Sequence, residues 1–130
     1  MGPAKIIARF RDGRMAKGLS HDFFPNKPHF HVNGTSNEPV MVKMNELKAV
    51  FFVRSFGGNP AYVERKGFLD GEKPPGRKVE VTFEDGEVVR GSILGYNPKQ
   101  TGFFLFPVDP NSNNTKVFVV NGAVKGFQYL

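Results

Sequence analysis

The chain has 130 residues and a formal net charge of +6; 39% of its residues are hydrophobic, and it contains 14 Phe, 15 Gly and 10 Pro but no Cys. The lack of Cys excludes disulfides and thiolate metal sites, and no apolar run approaches the ~20 residues that a membrane-spanning helix needs. The Gly and Pro content favours short strands joined by tight turns. Residues 1–9 lack the apolar core of a signal peptide, so we expect a cytoplasmic protein with no membrane partner.

The positive charge is concentrated in the first part of the chain. Residues 1–55 contain nine Lys and Arg against four acidic residues, whereas residues 56–130 contain nine against eight. A basic excess of this kind can attract a polyanion, but it is also common on ordinary protein surfaces. Charge alone therefore leaves nucleic-acid binding open.

Residues 1–53 have the pattern of a small β unit. The sequence KIIARFRDGRMAKG predicts two strands joined by a turn at Asp12-Gly13, because Asp-Gly readily adopts the backbone of a two-residue hairpin turn. Gly18 predicts a sharp bend in the second strand. The later strands are expected at 30–32, 40–43 and 49–53, with a helical turn at 44–48.

Residues 54–77 are interpreted as a connecting segment. Gly57-Gly58-Asn59-Pro60 and Pro74-Pro75-Gly76 interrupt any regular element. The segment is nevertheless too apolar for a free linker, because it contains Phe56, Tyr62, Phe68 and Leu69. We therefore expect it to pack against one of the two units that it joins.

Residues 78–130 repeat the same order of elements. Val79, Val81 and Phe83 alternate with polar residues, and this period of two predicts a half-buried strand. A turn at Asp85-Gly86 and a bend at Gly91 are expected next. The remaining strands are predicted at 103–106 and 116–120, with a turn at Asn121-Gly122 before a last strand that ends at Leu130.

The two units are copies of one another. KIIARFRDGRMAKG (5–18) aligns with KVEVTFEDGEVVRG (78–91) at an offset of 73, and VMVKMNELKAVFFV (40–53) aligns with VFVVNGAVKGFQYL (117–130) at an offset of 77. The four extra residues fall in the loop 109–115, where insertion is tolerated. The sequence predicts an all-β protein of two tandem five-stranded SH3/Sm-like small barrels packed together: 1–53, the connecting segment 54–77, and 78–130.

The second copy resembles the Sm-like family, which includes the Lsm and Hfq proteins. The first motif of that family is matched by Val79, Val81, Phe83, Asp85-Gly86, Gly91, Ile93 and Tyr96-Asn97, and the second motif by residues 119–124. The resemblance implies an SH3-type small barrel, with family-equivalent loop positions at Tyr96, Asn97, Asn121 and Gly122. Where the family binds RNA through Asp, Asn and Arg, this chain has Asn97, Thr101 and Asn121. The chain is also similar to small uncharacterised bacterial proteins with paired domains.

Equivalent hairpin positions carry opposite charge in the two copies. Arg11 and Arg14 flank the first turn, and Arg9 lies on the same outward face; the second copy has Glu84, Glu87 and Thr82 there. Across a two-residue turn, Arg11 and Arg14 would face each other, which is unfavourable. Three explanations remain open: the two hairpins meet as complementary patches, the Arg hairpin binds a phosphate or an acidic partner, or both tips are simply solvated.

Basic and aromatic residues are interleaved in the first copy. Lys17, Lys27, Lys43 and Lys48 lie close in sequence to Phe23, Phe24 and Phe30. Such a pattern can stack bases and follow a nucleic-acid backbone, although most Phe residues of a small barrel belong to its core. The candidate partner- or phosphate-binding residues are Arg9, Arg11, Arg14, Lys17 and Lys27.

Three histidines form a weak candidate for a metal site. His29 and His31 point to one side of a predicted strand, and His21 lies on the preceding strand across the turn, so the three imidazoles could approach each other, with Asp22 close by. The spacing fits no known metal-binding motif. We expect no metal and no cofactor.

The sequence contains no catalytic motif. It has no Gly-x-Ser-x-Gly elbow, no phosphate-binding Gly-rich loop and no His-Glu-x-x-His. The leading hypothesis is a non-enzymatic binding, adaptor or regulatory protein that engages a protein partner or associates with itself. The alternative is an Sm-like RNA-binding protein that uses the basic hairpin of the first copy.

Overall fold

The computed structural model describes residues 2–34 and 38–130, and the regular elements in these residues are strands and two short 3-10 turns. This confirms the all-β prediction. The strands are β1 Ala4–Phe10, β2 Met15–Ser20, β3 His29–Val32, β4 Val40–Lys43, β5 Leu47–Val53, β6 Arg77–Phe83, β7 Val88–Ile93, β8 Gly102–Pro107, β9 Asn114–Val120 and β10 Val124–Tyr129. The 3-10 turns at Met44–Glu46 and Asn121–Ala123 precede β5 and β10. No helix in the described part of the chain is long and apolar enough to span a membrane.

Both halves of the chain have the same strand order. The second half reads β10-β6-β7-β8-β9; the first reads β5-β1-β2 and then β3-β4, linked to β2 by the bridge between Leu19 and Asn33. The turn hydrogen bonds also recur: the Arg11 N–H donates to the Glu46 carbonyl, and its counterpart at Glu84 donates to Ala123, both at 2.9 Å. The repeated sequence therefore adopts a repeated strand order.

The sheets are open, which corrects the expectation of two closed barrels. Within the described residues, eight strands form one sheet in the order β10-β6-β7-β8-β9-β5-β1-β2, and β3 and β4 form a second. The halves join where β5 pairs antiparallel with β9, which places Ala49 opposite Val119 and Phe51 opposite Val117. Because β5 takes its second partner from the other half, the hydrogen-bonded ladder runs on between the halves and does not close within one.

Two hydrophobic clusters form the core, and the two joining strands contribute to both. Val50 of β5 and Phe118 of β9 belong to the cluster of the first half. Their neighbours Ala49 and Val119 belong to the cluster of the second half. Adjacent apolar residues in β5 and β9 are therefore buried on both faces, as fits the position of these strands at the centre of the sheet.

The two hairpin turns each contain three residues, not two. The Phe10 N–H donates to the Arg14 carbonyl at 2.9 Å, so Phe10 faces Arg14 and Arg11 lies within the turn. The expectation that Arg11 and Arg14 face each other is wrong. A two-residue turn of the expected type needs positive φ at both central residues. Here only the glycine has it, with φ of 95° at Gly13, and the second copy repeats the geometry with 91° at Gly86.

The two predicted bend glycines lie where strands approach each other closely. A Cβ atom on Gly18 would lie 2.3 Å from the carbonyl oxygen of Asn33, and one on Gly91 would lie 2.4 Å from that of Phe106. Neither distance leaves room for a side chain. These two positions therefore require Gly for the same steric reason in both halves.

Residues 54–76 contain no strand and are held against the second half by polar contacts. Asp109 accepts hydrogen bonds from the Tyr62 hydroxyl at 2.5 Å and from the Arg65 N–H at 3.0 Å. The expected apolar packing is only partly present, because Phe56, Tyr62 and Leu69 are exposed. Polar anchoring to the loop at Asp109 thus takes the place of a buried apolar contact.

Candidate functional site

The tips of the two hairpins meet within the chain. The Arg11 Nε lies 3.2 Å from Oε2 of Glu84, and a second bond joins the Arg11 Nη2 to the other carboxylate oxygen. These two residues occupy equivalent positions in the repeat and carry opposite charges. Of the three explanations left open by the sequence, the geometry matches complementary hairpins. Because both side chains are half exposed, the pair contributes at most about 1 kcal/mol.

A second ion pair links the first half to the acidic hairpin. The Lys48 Nζ lies 2.7 Å from Oδ2 of Asp85, also bonds Glu87, and sits 4.7 Å above the ring centre of Phe83. Burial lowers the pKa of Lys48, but the hydrogen bonds to the two carboxylates outweigh it and raise that pKa above its ordinary value. The bond from Lys48 likewise lowers the pKa of Asp85. Lys48 is therefore held in its charged form and links the two halves by ion pairs.

The other two arginines of the predicted basic surface, Arg14 and Arg9, contact different groups and do not converge on one candidate phosphate site. Arg14 lies 2.7 Å from Oδ2 of Asp12 and 4.6 Å from the ring centre of Phe10. Arg9 lies over the Phe51 ring at 5.5 Å. Since Arg14, like Arg11, is engaged by a carboxylate of the same chain, the charge available to a phosphate is smaller than the sequence suggested.

Lys17, Lys27 and the ring of Phe24 are accessible in the described structure. Lys17 is exposed, and Lys27 is exposed with its Nζ 5.3 Å from the ring centre of Phe24, itself an exposed residue. Phe30, in contrast, is fully buried, and Phe23 packs edge-on against it at 5.0 Å. The interleaved pattern of Lys and Phe therefore contains mostly core rings.

The Sm-equivalent loop positions come together in the second half. The Asn121 side chain donates to the carbonyl groups of Asn97 at 3.3 Å and Gln100 at 2.9 Å, which ties two loops together. Its Oδ1 is buried and has no hydrogen-bond partner among the described residues. Tyr96 stacks on Phe127 at 4.1 Å, and both rings are partly buried against the core cluster of the second half. A Cβ atom on the neighbouring exposed Gly122 would lie 3.5 Å from the Arg11 guanidinium.

The histidines are arranged as a pair, with Asp22 beside one of them. The rings of His29 and His31 are 6.1 Å apart, and the His31 Nδ1 lies 2.7 Å from Oδ2 of Asp22. Burial raises the pKa of Asp22, but its hydrogen bonds with His31 outweigh this and lower it. Exposed His21 does not join them: in residues 2–34 and 38–130, no three His, Asp or Glu side chains are grouped so as to hold a metal ion.

Among the described residues, the strands β4 and β10 each have an open edge, and sequence reasoning did not single these edges out. Within the described ranges, β4 pairs only with β3, and β10 pairs only with β6. Four apolar residues at these edges are about half exposed: Val40 at 50%, Met41 at 51%, Tyr129 at 42% and Leu130 at 55%. The offset of 77 was the available signal, because it aligns Val40, Met41 and Leu130 with buried residues of β9 and β5.

The match to a family model covers nearly the whole chain. The model described as "Family of unknown function (DUF6982)" matches residues 2–130. Searches of the curated proteins and of the solved structures found no match to this chain. The matched span includes both copies of the repeat and the segment that connects them. This protein therefore belongs to the family DUF6982.

Proposed function

We propose that the protein is a non-enzymatic binding module in which two small SH3/Sm-type units form one rigid surface, and that it engages a protein partner at its outer strands. The observation that carries this proposal is that, among the described residues, β10 at the end of the large sheet pairs only with β6 and β4 of the small sheet pairs only with β3.

An open strand is chemically suited to bind another strand. Its free edge presents a row of N–H and C=O groups that a partner strand can satisfy, while alternate side chains supply specificity. β4 and β10 add apolar side chains, which favour a protein partner over a polyanion. Short edge strands are often protected by charge, yet Val40 and Met41 place an exposed apolar side chain on each face of β4.

RNA binding is the second candidate, and two accessible cations support it. Lys17 and Lys27 are exposed, and the latter stacks on Phe24 in a way that could accommodate a base. The proposal ranks it lower because Arg11 and Arg14 are already paired with carboxylates. The two candidates differ in salt dependence, since RNA affinity falls steeply as salt rises.

The RNA candidate is tested by fluorescence anisotropy with a mixed single-stranded RNA at low and moderate salt. We expect no salt-sensitive affinity, and no difference between the natural chain and a variant with Arg9→Glu, Arg11→Glu and Arg14→Glu. A second variant, Lys17→Gln with Lys27→Gln, removes two exposed cations without changing the ion pairs of Arg11 and Arg14. Affinity that is lost in either variant would replace the protein-binding proposal with the RNA one.

The protein-binding proposal is tested by selecting a displayed library of random extended peptides against the full chain. We expect selected peptides to bind the natural chain and to lose affinity for Met41→Glu, because a strand added to β4 would cover that side chain. Val63→Glu is the matched control, since the same change is made at an apolar residue that is 89% exposed. Peptides that bind both variants equally, or no selected peptides, would contradict the proposal.

A further inference from the structure

Three side chains that can bind a metal ion lie on the outer face of the hairpin formed by β3 and β4. His29 and His31 are two residues apart in β3, so both point to the same face of that strand. The register places Met41 of β4 directly opposite His31, on the same face. Phe30 and Val42 point the other way and are fully buried. The hairpin therefore presents two imidazoles and a thioether on its solvent side.

The strand pairing brings these three side chains close together. The Met44 N–H donates to the Pro28 carbonyl at 2.8 Å, and counting along the ladder from this bond makes His31 and Met41 a pair without mutual hydrogen bonds. Such pairs have the shorter Cα–Cα separation, about 4.5 Å. The ring centres of His29 and His31 are 6.1 Å apart. Two imidazoles that bind one ion through nitrogens at ~2.1 Å can have ring centres up to about 6.4 Å apart, so this spacing fits a shared ion.

Asp22 fixes the orientation of the second imidazole. The Nδ1 of His31 lies 2.7 Å from Oδ2 of Asp22, and Oδ1 accepts the backbone N–H of His31 at 2.8 Å. The pKa of Asp22 lies below its ordinary value, so the carboxylate is ionised at neutral pH and only accepts hydrogen bonds. Nδ1 therefore carries the proton, and the lone pair of Nε2 is left for a metal. Metal-binding histidines almost always have such an acceptor on the other ring nitrogen.

The types of ligand favour copper. Imidazole nitrogen suits copper, zinc and nickel, whereas thioether sulfur selects the soft ion Cu(I). Among the divalent ions of the first transition row, Cu(II) generally binds a given site most tightly. Magnesium and calcium prefer oxygen ligands, which these three side chains lack. Lys43 lies opposite His29 and is exposed, so its flexible chain can keep the ammonium group in solvent, away from the ion.

We propose that the outer face of this hairpin is a copper site whose ligands are His29, His31 and Met41. Cu(I) binds all three side chains and Cu(II) binds the two imidazoles, with solvent at the remaining positions. Asp22 is a positioning residue that acts through His31. The expectation of no metal drew on spacing along the chain, whereas Met41 enters the site only through the pairing of β3 with β4. The site is independent of the proposed function, because it uses a face of β4 and not its open edge.

Copper titration of the full chain tests the site, because the chain has three His and no Cys. Cu(II) binding is followed by isothermal titration calorimetry and electron paramagnetic resonance. We expect one ion per chain with imidazole nitrogen ligands, and affinity at least tenfold weaker in His29→Gln, a change at an exposed residue that leaves the core intact. His21→Gln is the matched control and should bind as the natural chain does. Equal affinity of the natural chain and His29→Gln, or an equal loss in His21→Gln, would overturn the site.

Two further variants test the roles of Met41 and Asp22. Met41→Leu should weaken Cu(I) binding in competition with a chromophoric chelator under reducing conditions, while its Cu(II) affinity should hardly change. Asp22→Asn should weaken Cu(II) binding by about 10–100-fold and alter the resonance spectrum, and Asp22→Glu, which keeps the charge, should recover part of the affinity. Circular dichroism checks that each variant is folded. Unchanged Cu(I) affinity in Met41→Leu would remove the thioether from the site, and unchanged Cu(II) affinity and spectrum in Asp22→Asn would overturn the positioning role.

Discussion

Replacing Gly91 with Ala is expected to destabilise the protein, because β7 passes the backbone of β8 there without room for a side chain. The added Cβ would lie 2.4 Å from the carbonyl oxygen of Phe106 and 2.5 Å from Cδ2 of Leu105. The carbonyl cannot move cheaply, since Phe106 is paired with Ser92 of β7 and the preceding residues 102–105 of β8 are paired with β9. The strands must therefore separate locally or the backbone must distort.

Two opposing effects set the size of the loss. Forcing a methyl group into a well-packed site costs ~1–3 kcal/mol. Replacing Gly also restricts the unfolded chain, which returns ~0.4–1 kcal/mol. The free energy of unfolding should therefore fall by about 1–2 kcal/mol, and the melting temperature by about 3–10 °C for a chain of this size.

The assay is urea unfolding followed by far-ultraviolet circular dichroism, with Gly95→Ala as the control. Nothing lies within 4 Å of a Cβ at Gly95, so that variant should stay within about 0.5 kcal/mol of the natural chain. Gly18→Ala should behave like Gly91→Ala, because its Cβ would lie 2.3 Å from a backbone oxygen. Equal stability of the Gly91 and Gly95 variants would refute the close approach of the strands.

Three further predictions concern the polar contacts. Arg11→Glu should cost up to about 1 kcal/mol, and adding Glu84→Arg should restore most of it in a double-mutant cycle; additive losses would contradict their pairing. The pKa of Asp109 is held at about 2 by hydrogen bonds from a backbone N–H and a tyrosine hydroxyl of the connecting segment. The charged carboxylate therefore stabilises the fold at pH values above its ordinary pKa of 3.8, and this stabilisation is lost as the pH falls toward 2. Asp109→Asn should make the free energy of unfolding less dependent on pH in that range. An unchanged pH dependence, measured by urea titration at several pH values, would argue against this role of Asp109. Lys48→Met should lower the free energy of unfolding by ~1–3 kcal/mol, because charged hydrogen bonds are lost. Lys125→Met, at the exposed equivalent position, should have almost no effect on stability. Equal effects of the two substitutions would contradict a stabilising ion pair between Lys48 and the second half.

Local patterns predicted much of the fold. The period of two in Val79, Val81 and Phe83 gave β6 its buried face, and the repeat predicted the order of all later strands. The glycines at 18 and 91 were recognisable because a strand tolerates Gly poorly unless another backbone is close. These features depend on neighbours along the chain, which the sequence displays directly.

Other features depend on contacts between distant residues. The pairing of β5 with β9 opens both predicted barrels, and nothing local to either strand specifies a partner in the other half. The hairpin register was wrong by one residue because Asp12-Gly13 fits both a two-residue and a three-residue turn. Lys48 was seen only as surface charge, although its place within the apolar run LKAVFFV was a sign of a buried partner.

The candidate site was predicted in part. The opposite charges at Arg11 and Glu84 suggested complementary hairpins as one of three explanations, and the geometry brings these residues together. The RNA-related pattern was less informative, because the sequence does not distinguish core rings such as Phe30 from the exposed ring of Phe24. The open edges became visible only once the strand order was known.

Amide hydrogen exchange of the full chain with and without a peptide selected against it tests the central claim most directly. If the outer strands are the binding edges, exchange in Val40–Lys43 or Val124–Tyr129 should slow when the peptide is added, while the amides of β5 and β9 stay equally protected throughout. Exchange in both outer strands that does not change when the peptide is added would contradict binding at these edges.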